Sequence, residues 1–495
     1  PEKTLLKRYQ RFLKYTKEDD HQNVLEFILG AMTRTFDPHS AYHGPKTTKE
    51  WNIQMNLKLT GIGAQLQTED GYTKVMKIIP GGPAFQDKSL EKDDLIYAVA
   101  QGKEEPVDII EMRLSKVVSY IRGVKGSVVR LYVLKGGKNG PRKVIVLTRD
   151  VVKLTESEAQ GEIKTVTDQN GKKIKVGVIH LPSFYADFRA LQLGDPNAKS
   201  STKDVQKILT SQMKQGIDAL IIDIRNNGGG SLTEAVLLSG LFIDRGPVVQ
   251  TRDSTGELEI RKDHPKGVQY DGPLIVMTNY HSASASEIFA AAIQDYGRGL
   301  IVGSKSTHGK GTVQQLFDLS RLQTFQNENP GQLKYTMAKF YRVTGASTQK
   351  KGVTPDIIFP SYNEFSDSGE SSLPNVLEWD EIPSLKFESR NIKTSIRKLL
   401  KASKSRQVEN SEFKELHNLI EQYRKNREDK AVSLNKVKRI KEIKQQSIDE
   451  ENRKNIIKRL FGDFEEEQDH TKINDNLYLR ETLKIAVDYI QLTQN

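Results

Sequence analysis

The chain has 495 residues, too many for a single hydrophobic core at roughly 100–200 residues per domain, so two to four packed units are expected. Its 36% hydrophobic and 28% charged residues describe a soluble globular protein with long polar helices and exclude a disordered or membrane-embedded one. Lys and Arg number 75 against 64 Asp and Glu, a net +11 that first points to an acidic partner, and the absence of cysteine removes disulfides, thiolate metal sites and cysteine nucleophiles.

The opening PEKTLLKRYQ has neither an initiator Met nor an apolar signal core, as in a processed or trimmed chain. No stretch approaches the roughly 18 apolar residues of a membrane-spanning helix. Residues 1–56 read as a helical region, with Leu25, Ile28, Leu29 and Met32 at helical spacing before the turn-rich FDPHSAYHGP. Residues 57–150 change to short strands such as VMKII, RLYVL and KVIVLTRD, with one helix expected near Val107–Ile121. Residues 151–360 alternate strands (KVGVIHL, ALIIDI, PLIVMT) with helices (TKDVQKILTSQMKQ, SLTEAVLLSGLF, SASEIFAAAIQDY). That alternation predicts crossover units and a mixed, substantially parallel sheet, with chemistry at the loops leaving the strands. The fold class is therefore multidomain α/β and α+β. Residues 361–495 read as a helical, basic tail: residues 391–460 hold 20 Lys or Arg against 10 Asp or Glu, so nearly all the excess charge sits there. The signs are mixed (EQYRKNREDK), an acidic FEEEQD follows, and aromatic interleaving is absent, which favours a solvated helical face over a nucleic-acid or membrane patch.

Three passages can carry chemistry. In TNYHSASASEIF a strand ends, Ser282, Ser284 and Ser286 follow, and an apolar helix begins. A serine at a helix N-terminus can be a nucleophile supported by free N–H groups, or simply a cap with Glu287 as first-turn acid; the passage alone permits both. In GSKSTHGKGT, Lys310 lies between two glycines; buried beside a serine, its amine would lose its proton easily and act as a general base. In DIRNNGGGSLTEA, three glycines between strand and helix can bring amides to an oxyanion, or form an ordinary turn. The lysine passage is not a phosphate-binding loop, since five residues separate Gly303 from Gly309 and Gly311 follows Lys310, against the four-residue spacing and following Ser or Thr which that loop requires. A Ser–His–Asp arrangement using His281 or His308 with Asp223 is permitted but lacks a nucleophile-elbow motif. The pair His39 and His43 has no accompanying acidic motif and reads as turn chemistry, so no metal site is expected.

Taken in order, FDPHSAY, NIQMNLKLTGIGAQLQ, DIRNNGGGSLTEA, SASASEIFAAAIQDYGR, GKGTVQQ, KFYRV and GVTPDI resemble the tail-specific proteases, also called C-terminal processing peptidases, across almost the whole chain. The resemblance implies an ATP-independent serine endopeptidase that engages nonpolar C-termini of protein substrates and needs no metal or cofactor. It places the nucleophile on Ser284, the general base on Lys310 and an orienting glutamine on Gln314. Oxyanion donors fall on Ala285 with Gly229 or Gly230, and structural support on Asp295. Residues 57–150 resemble a PDZ domain, with Gly61, Ile62, Gly63 and Ala64 in the carboxylate-binding loop; family likeness implies that this domain gates the protease. The family reads approximately GEPTFGK where this chain has the longer GSKSTHGK, so Lys305 is an added cation expected to help keep Lys310 neutral. The implied setting is the periplasm of a Gram-negative bacterium, at or near the inner membrane, with room for an adaptor protein and for peripheral membrane association, and no nucleic acid. The alternative is a catalytically weak PDZ-bearing chaperone or scaffold.

Overall fold

The structure, a computed structural model, describes residues 2–325, 329–361, 364, 368–429, 431–462, 473 and 475–494. The chain forms two compact units, one from residues 1–32, 42–155 and 318–332, the other from 33–41, 156–317 and 333–495.

The first unit opens with helices Glu2–Lys17, His21–Thr33 and Pro45–Asn56. The helical spacing is realised, but Leu25, Ile28 and Met32 stay exposed, because periodicity sets the helix whereas burial needs a facing surface. Next comes an antiparallel sheet in the order Ala64–Glu69, Tyr72–Ile78, Leu95–Gln101, Val128–Leu134, Arg142–Thr148. Its alternating inward residues, among them Val75, Ile96, Val99, Val129, Leu131, Val133 and Ile145, form one core with Val117 and Ile121 of helix Leu114–Ile121. That helix is shorter than the sequence suggests. Val107 and Asp108 instead pair with Val99 and Ala98, and the Asp108 carboxylate takes the Ile110 N–H in a turn at 2.8 Å.

The second unit is built on a six-stranded sheet in the order Gln160–Thr167, Lys173–His180, Ala219–Asp223, Leu274–Thr278, Leu300–Gly303, Ile357–Ile358. The first strand is antiparallel to its neighbour and the others run parallel. Helices Ser201–Lys214, Leu232–Ser239 and Ala285–Asp295 make the crossovers, the first two capped by Ser200 and Ser231, whose side chains accept the Lys203 and Glu234 N–H groups. A second sheet joins Gly246–Asp253, Leu258–Asp263 and Gln332–Tyr341, and Thr312–Asp318 pairs with the last of these.

The C-terminal helices are not all an appendage. Helix Leu477–Gln494 lays Leu479, Leu483, Ile485, Ala486 and Ile490 into one core with Val178, Ile221, Ile275 and Met277 of the parallel sheet. Its apolar stripe covers a sheet face that would otherwise meet water. Helix Lys436–Phe461 is largely exposed, with same-helix pairs such as Arg439–Glu442 at 3.2 Å, as the mixed-sign reading anticipates. FEEEQD lies outside the described residues. No described helix is long and apolar enough to cross a membrane.

Candidate active site

Three loops leave the carboxyl ends of three adjacent parallel strands, Ala219–Asp223, Leu274–Thr278 and Leu300–Gly303. They are the triglycine, serine and lysine passages, brought side by side by strand order alone.

The serine loop is fastened to the triglycine loop. Ser282 Oγ donates to the Ile224 carbonyl at 2.8 Å, Ser286 Oγ to the Asn227 carbonyl at 2.8 Å, and the Ala283 N–H reaches that same carbonyl at 3.0 Å. These flanking serines are therefore structural fasteners. Between them Ser284, part-buried, adopts φ +57° and ψ −112° at the start of helix Ala285–Asp295, a conformation that costs a non-glycine residue on the order of 1–3 kcal/mol and persists only where its surroundings enforce it.

A Cβ on Gly229 would come within 2.9 Å of Ser284 Cβ and 3.1 Å of the Ala285 nitrogen, so only glycine fits there. The Gly229 N–H already donates to Asn227 Oδ1 at 2.9 Å. Among the described residues no partner is found for the N–H of Ala285 or of Gly230. Of the two glycines expected as oxyanion donors, Gly230 keeps its amide available and Gly229 supplies clearance.

Glu287 ties the serine and lysine loops together. Its Oε2 accepts the Ser284 N–H at 2.8 Å and the Lys310 N–H at 2.9 Å; its Oε1 accepts Thr307 Oγ1 and the Gly309 N–H, each at 2.6 Å. The side chain is fully buried, and burial pushes its pKa up to about 7 against those hydrogen bonds. In the sequence Glu287 reads only as a first-turn acid. The Ser-x-x-Glu spacing was the available signal, but the reach to the lysine loop is a tertiary feature.

Lys310 is part-buried and donates from Nζ to Gln314 Oε1 at 2.5 Å, so the lysine and the glutamine four residues on are in direct contact. Gln314 Nε2 donates to Thr312 Oγ1 at 2.9 Å and Thr336 Oγ1 at 3.0 Å, and Thr336 Oγ1 donates to Asp37 Oδ1 at 2.8 Å. Burial draws the Lys310 pKa down to about 8, with Lys334 as the next contributor. The glycines flanking Lys310 are there for close approach: a Cβ on Gly309 would meet the Lys350 carbonyl carbon at 2.9 Å, and one on Gly311 the Gln349 nitrogen at 2.7 Å. Lys305, expected to assist, is exposed on the loop surface and is not among the leading causes of that shift; the foremost like charge is Lys334.

The histidine alternatives are not assembled. Asp223 is held by Arg225 at 2.7 Å, with His180 at 3.7 Å. The His308 ring instead faces buried Glu370 at 3.5 Å, which also takes His39 at 2.8 Å and Gln349 Nε2 at 2.9 Å. Burial raises the Glu370 pKa, but the hydrogen bonds with His308 and His39 outweigh it and hold it at about 2. No group of three or more metal-ligating side chains occurs among the described residues. Asp295 pairs with Arg342 Nη2 at 2.5 Å. It lies eleven residues beyond Ser284, roughly 16 Å along the helix, so it anchors the far end of that helix.

In the first unit, a groove of about 230 Å³ is lined by Ile62, Ala64, Leu66, Ile79, Val118 and Ile121 among others. Strand Ala64–Glu69 is an edge strand. The Ile62 and Gly63 carbonyls are bound by Ala84 and Ile79 N–H groups at 2.8 Å, while no partner is found for the Ile62 and Gly63 N–H groups among the described residues. An open strand edge, apolar pocket and turned-out amides can receive a peptide terminus.

A family profile described as Peptidase family S41 matches residues 175–359, the PDZ domain profile 50–134, the tail specific protease N-terminal domain 1–46 and the C-terminal domain of tail specific protease 363–491. The tail-specific protease of Haemophilus influenzae is 39% identical over 498 residues, covering 98% of this chain and 68% of that protein. The chain belongs to the tail-specific protease family. This tail-specific protease is a family S41 serine peptidase carrying a PDZ domain. It is also 30% identical to the carboxyl-terminal-processing protease of Picosynechococcus, over 71% of the chain and 76% of that protein. Among solved structures, a photosystem II D1 C-terminal processing protease is 24% identical with a TM-score of 0.39, covering 74% of this chain and 92% of that one. The PDZ domain of a Vibrio cholerae carboxy-terminal protease, solved with a peptide, is 44% identical with a TM-score of 0.20, covering 20% of this chain and all of its own.

Proposed function

We propose that this tail-specific protease cuts protein substrates bearing nonpolar C-termini by a serine–lysine mechanism. Neutral Lys310 takes the Ser284 hydroxyl proton, Ser284 Oγ attacks the scissile carbonyl, and the Ala285 and Gly230 amides hold the oxyanion. The protonated amine then gives its proton to the leaving nitrogen, and water, activated in turn by Lys310, hydrolyses the acyl-enzyme. The observation that carries this reading is the single Glu287 oxygen that binds the amides of both Ser284 and Lys310. Substrate tails would enter as an added strand beside Ala64–Glu69, with the terminal carboxylate on the Ile62 and Gly63 amides. The working domain map is 1–56, 57–150, 151–360 and 361–495, and the working setting is the periplasm, where an adaptor could deliver substrate.

The test is degradation of an unfolded protein with an apolar or a charged C-terminus. Ser284→Ala and Lys310→Ala should fold with unchanged circular dichroism and degrade neither substrate, while the parent prefers the apolar tail. Full activity in Lys310→Ala would overturn the mechanism, and equal rates on both tails would overturn tail selection alone.

A further inference from the structure

Strand Gln332–Tyr341 alternates its side chains between two faces, so Lys334 and Thr336 share one face with the buried Ala338 and Phe340. That face is turned towards the general base, because Thr336 Oγ1 receives the Gln314 amide whose oxygen binds the Lys310 amine. Lys334 is part-buried there, and no hydrogen bond or ion pair is found for its amine among the described residues.

The carboxylates facing this pocket are already engaged. Asp37 accepts the His39 and Ser40 N–H groups at 2.8 and 3.1 Å, Ser40 Oγ at 2.5 Å and Thr336 Oγ1 at 2.8 Å. Glu287 holds four donors, and Glu370 is shared by His39, His308 and Gln349. None forms an ion pair with either lysine.

We propose that Lys334 tunes the general base: its unpaired ammonium, one pleat from Thr336, disfavours conversion of the Lys310 amine to a second ammonium and keeps that amine able to accept the Ser284 proton. The idea rests on the serine–lysine reading and deepens it, since a neighbouring cation is a recognised way to activate a lysine. It agrees with the electrostatics, in which burial is the leading cause of the lowered Lys310 pKa and Lys334 the next, opposed by Glu370, Glu287 and Asp37. Lys334 is itself pulled down by burial and supported by Asp37. Once Lys310 carries the serine proton, the same repulsion favours passing it to the leaving amine.

The experiment measures kcat/KM on a fluorescently labelled unfolded protein, from about pH 6 to about pH 10, for the parent, Lys334→Met, Lys334→Arg and Lys310→Ala. With Lys334→Met, the acid limb should move to higher pH. Activity should fall roughly five- to tenfold near pH 7, where the neutral amine is scarce, and less than about twofold near pH 9.5. Lys334→Arg, which restores the charge, should return the limb towards the parent position. A Lys334→Met limb superimposed on the parent, a loss uniform across pH, or an arginine variant no better than methionine would overturn the proposal. Thermal unfolding of each variant is followed alongside, so that a pH-independent loss is recognised as a packing lesion. An active Lys310→Ala would instead overturn the serine–lysine reading itself.

Discussion

Ser284 sits at φ +57° with its amide on Glu287, and Lys310 has its amide on the same carboxylate oxygen. One buried side chain therefore sets the register of both proposed reacting groups. Glu287→Gln preserves volume but replaces an acceptor with an NH₂ donor that must face N–H or O–H groups. Each donor left unsatisfied costs about 1–3 kcal/mol, so a lowered urea midpoint and a loss of kcat of about tenfold or more are expected, measured on the same preparation. The pH profile follows from Lys310. Its pKa lies near 8 and the base must be neutral, so kcat/KM should rise with pH through about 8 and level above it. A profile falling over that interval would contradict a lysine base.

At the scale of elements, the sheet does the assembling, since adjacent parallel strands deliver the three loops to one edge. The segment around Glu370 is joined to the lysine loop through His308 and to the segment around Asp37 through His39. With a folded pKa near 2, below the ordinary glutamate value of 4.5, Glu370 contributes stability that is present above the unfolded pKa and lost as pH falls towards 2. Glu370→Gln should therefore lower the urea midpoint above about pH 5 and converge with the parent towards about pH 2. In the first unit, Val118 lines the groove beside edge strand Ala64–Glu69. Val118→Asp should erase the preference for an apolar over a charged C-terminus, read as the ratio of the two kcat/KM values, while general proteolysis of unfolded protein continues.

On the scale of the whole molecule, the second unit is closed by the last helix of the chain, whose Ile485 is fully buried in the cluster under the parallel sheet. Ile485→Ala should cost about 2–5 kcal/mol, a large share of a typical domain's stability. It should lower the chemical denaturation midpoint of the proteolytic unit even though it lies 175 residues from Lys310 in sequence. The net +11 describes something else. It is concentrated in residues 391–460, where mixed-sign helices such as Lys436–Phe461 pair their own charges in solvent.

The sequence by itself determined the strand–helix alternation, the order of the three chemistry-bearing loops, Ser284, Lys310 and Gln314 as the residues to watch, and the Gly61–Ala64 turn. The alternation and the loop order are local, written in periodicity, turn residues and short spacings, whereas Ser284 among three serines, Gln314 and the Gly61–Ala64 loop are singled out by the resemblance of those passages to the tail-specific proteases. Tertiary structure alone decided that Gly230 and not Gly229 keeps a free amide, and that Glu287 spans two loops. It also set Lys334 on the strand face that carries Thr336, left Lys305 exposed, and placed the final helix in the core. Each of these depends on which strand lies beside which and what a buried atom has for a neighbour, and neither is encoded in the residues immediately before and after it.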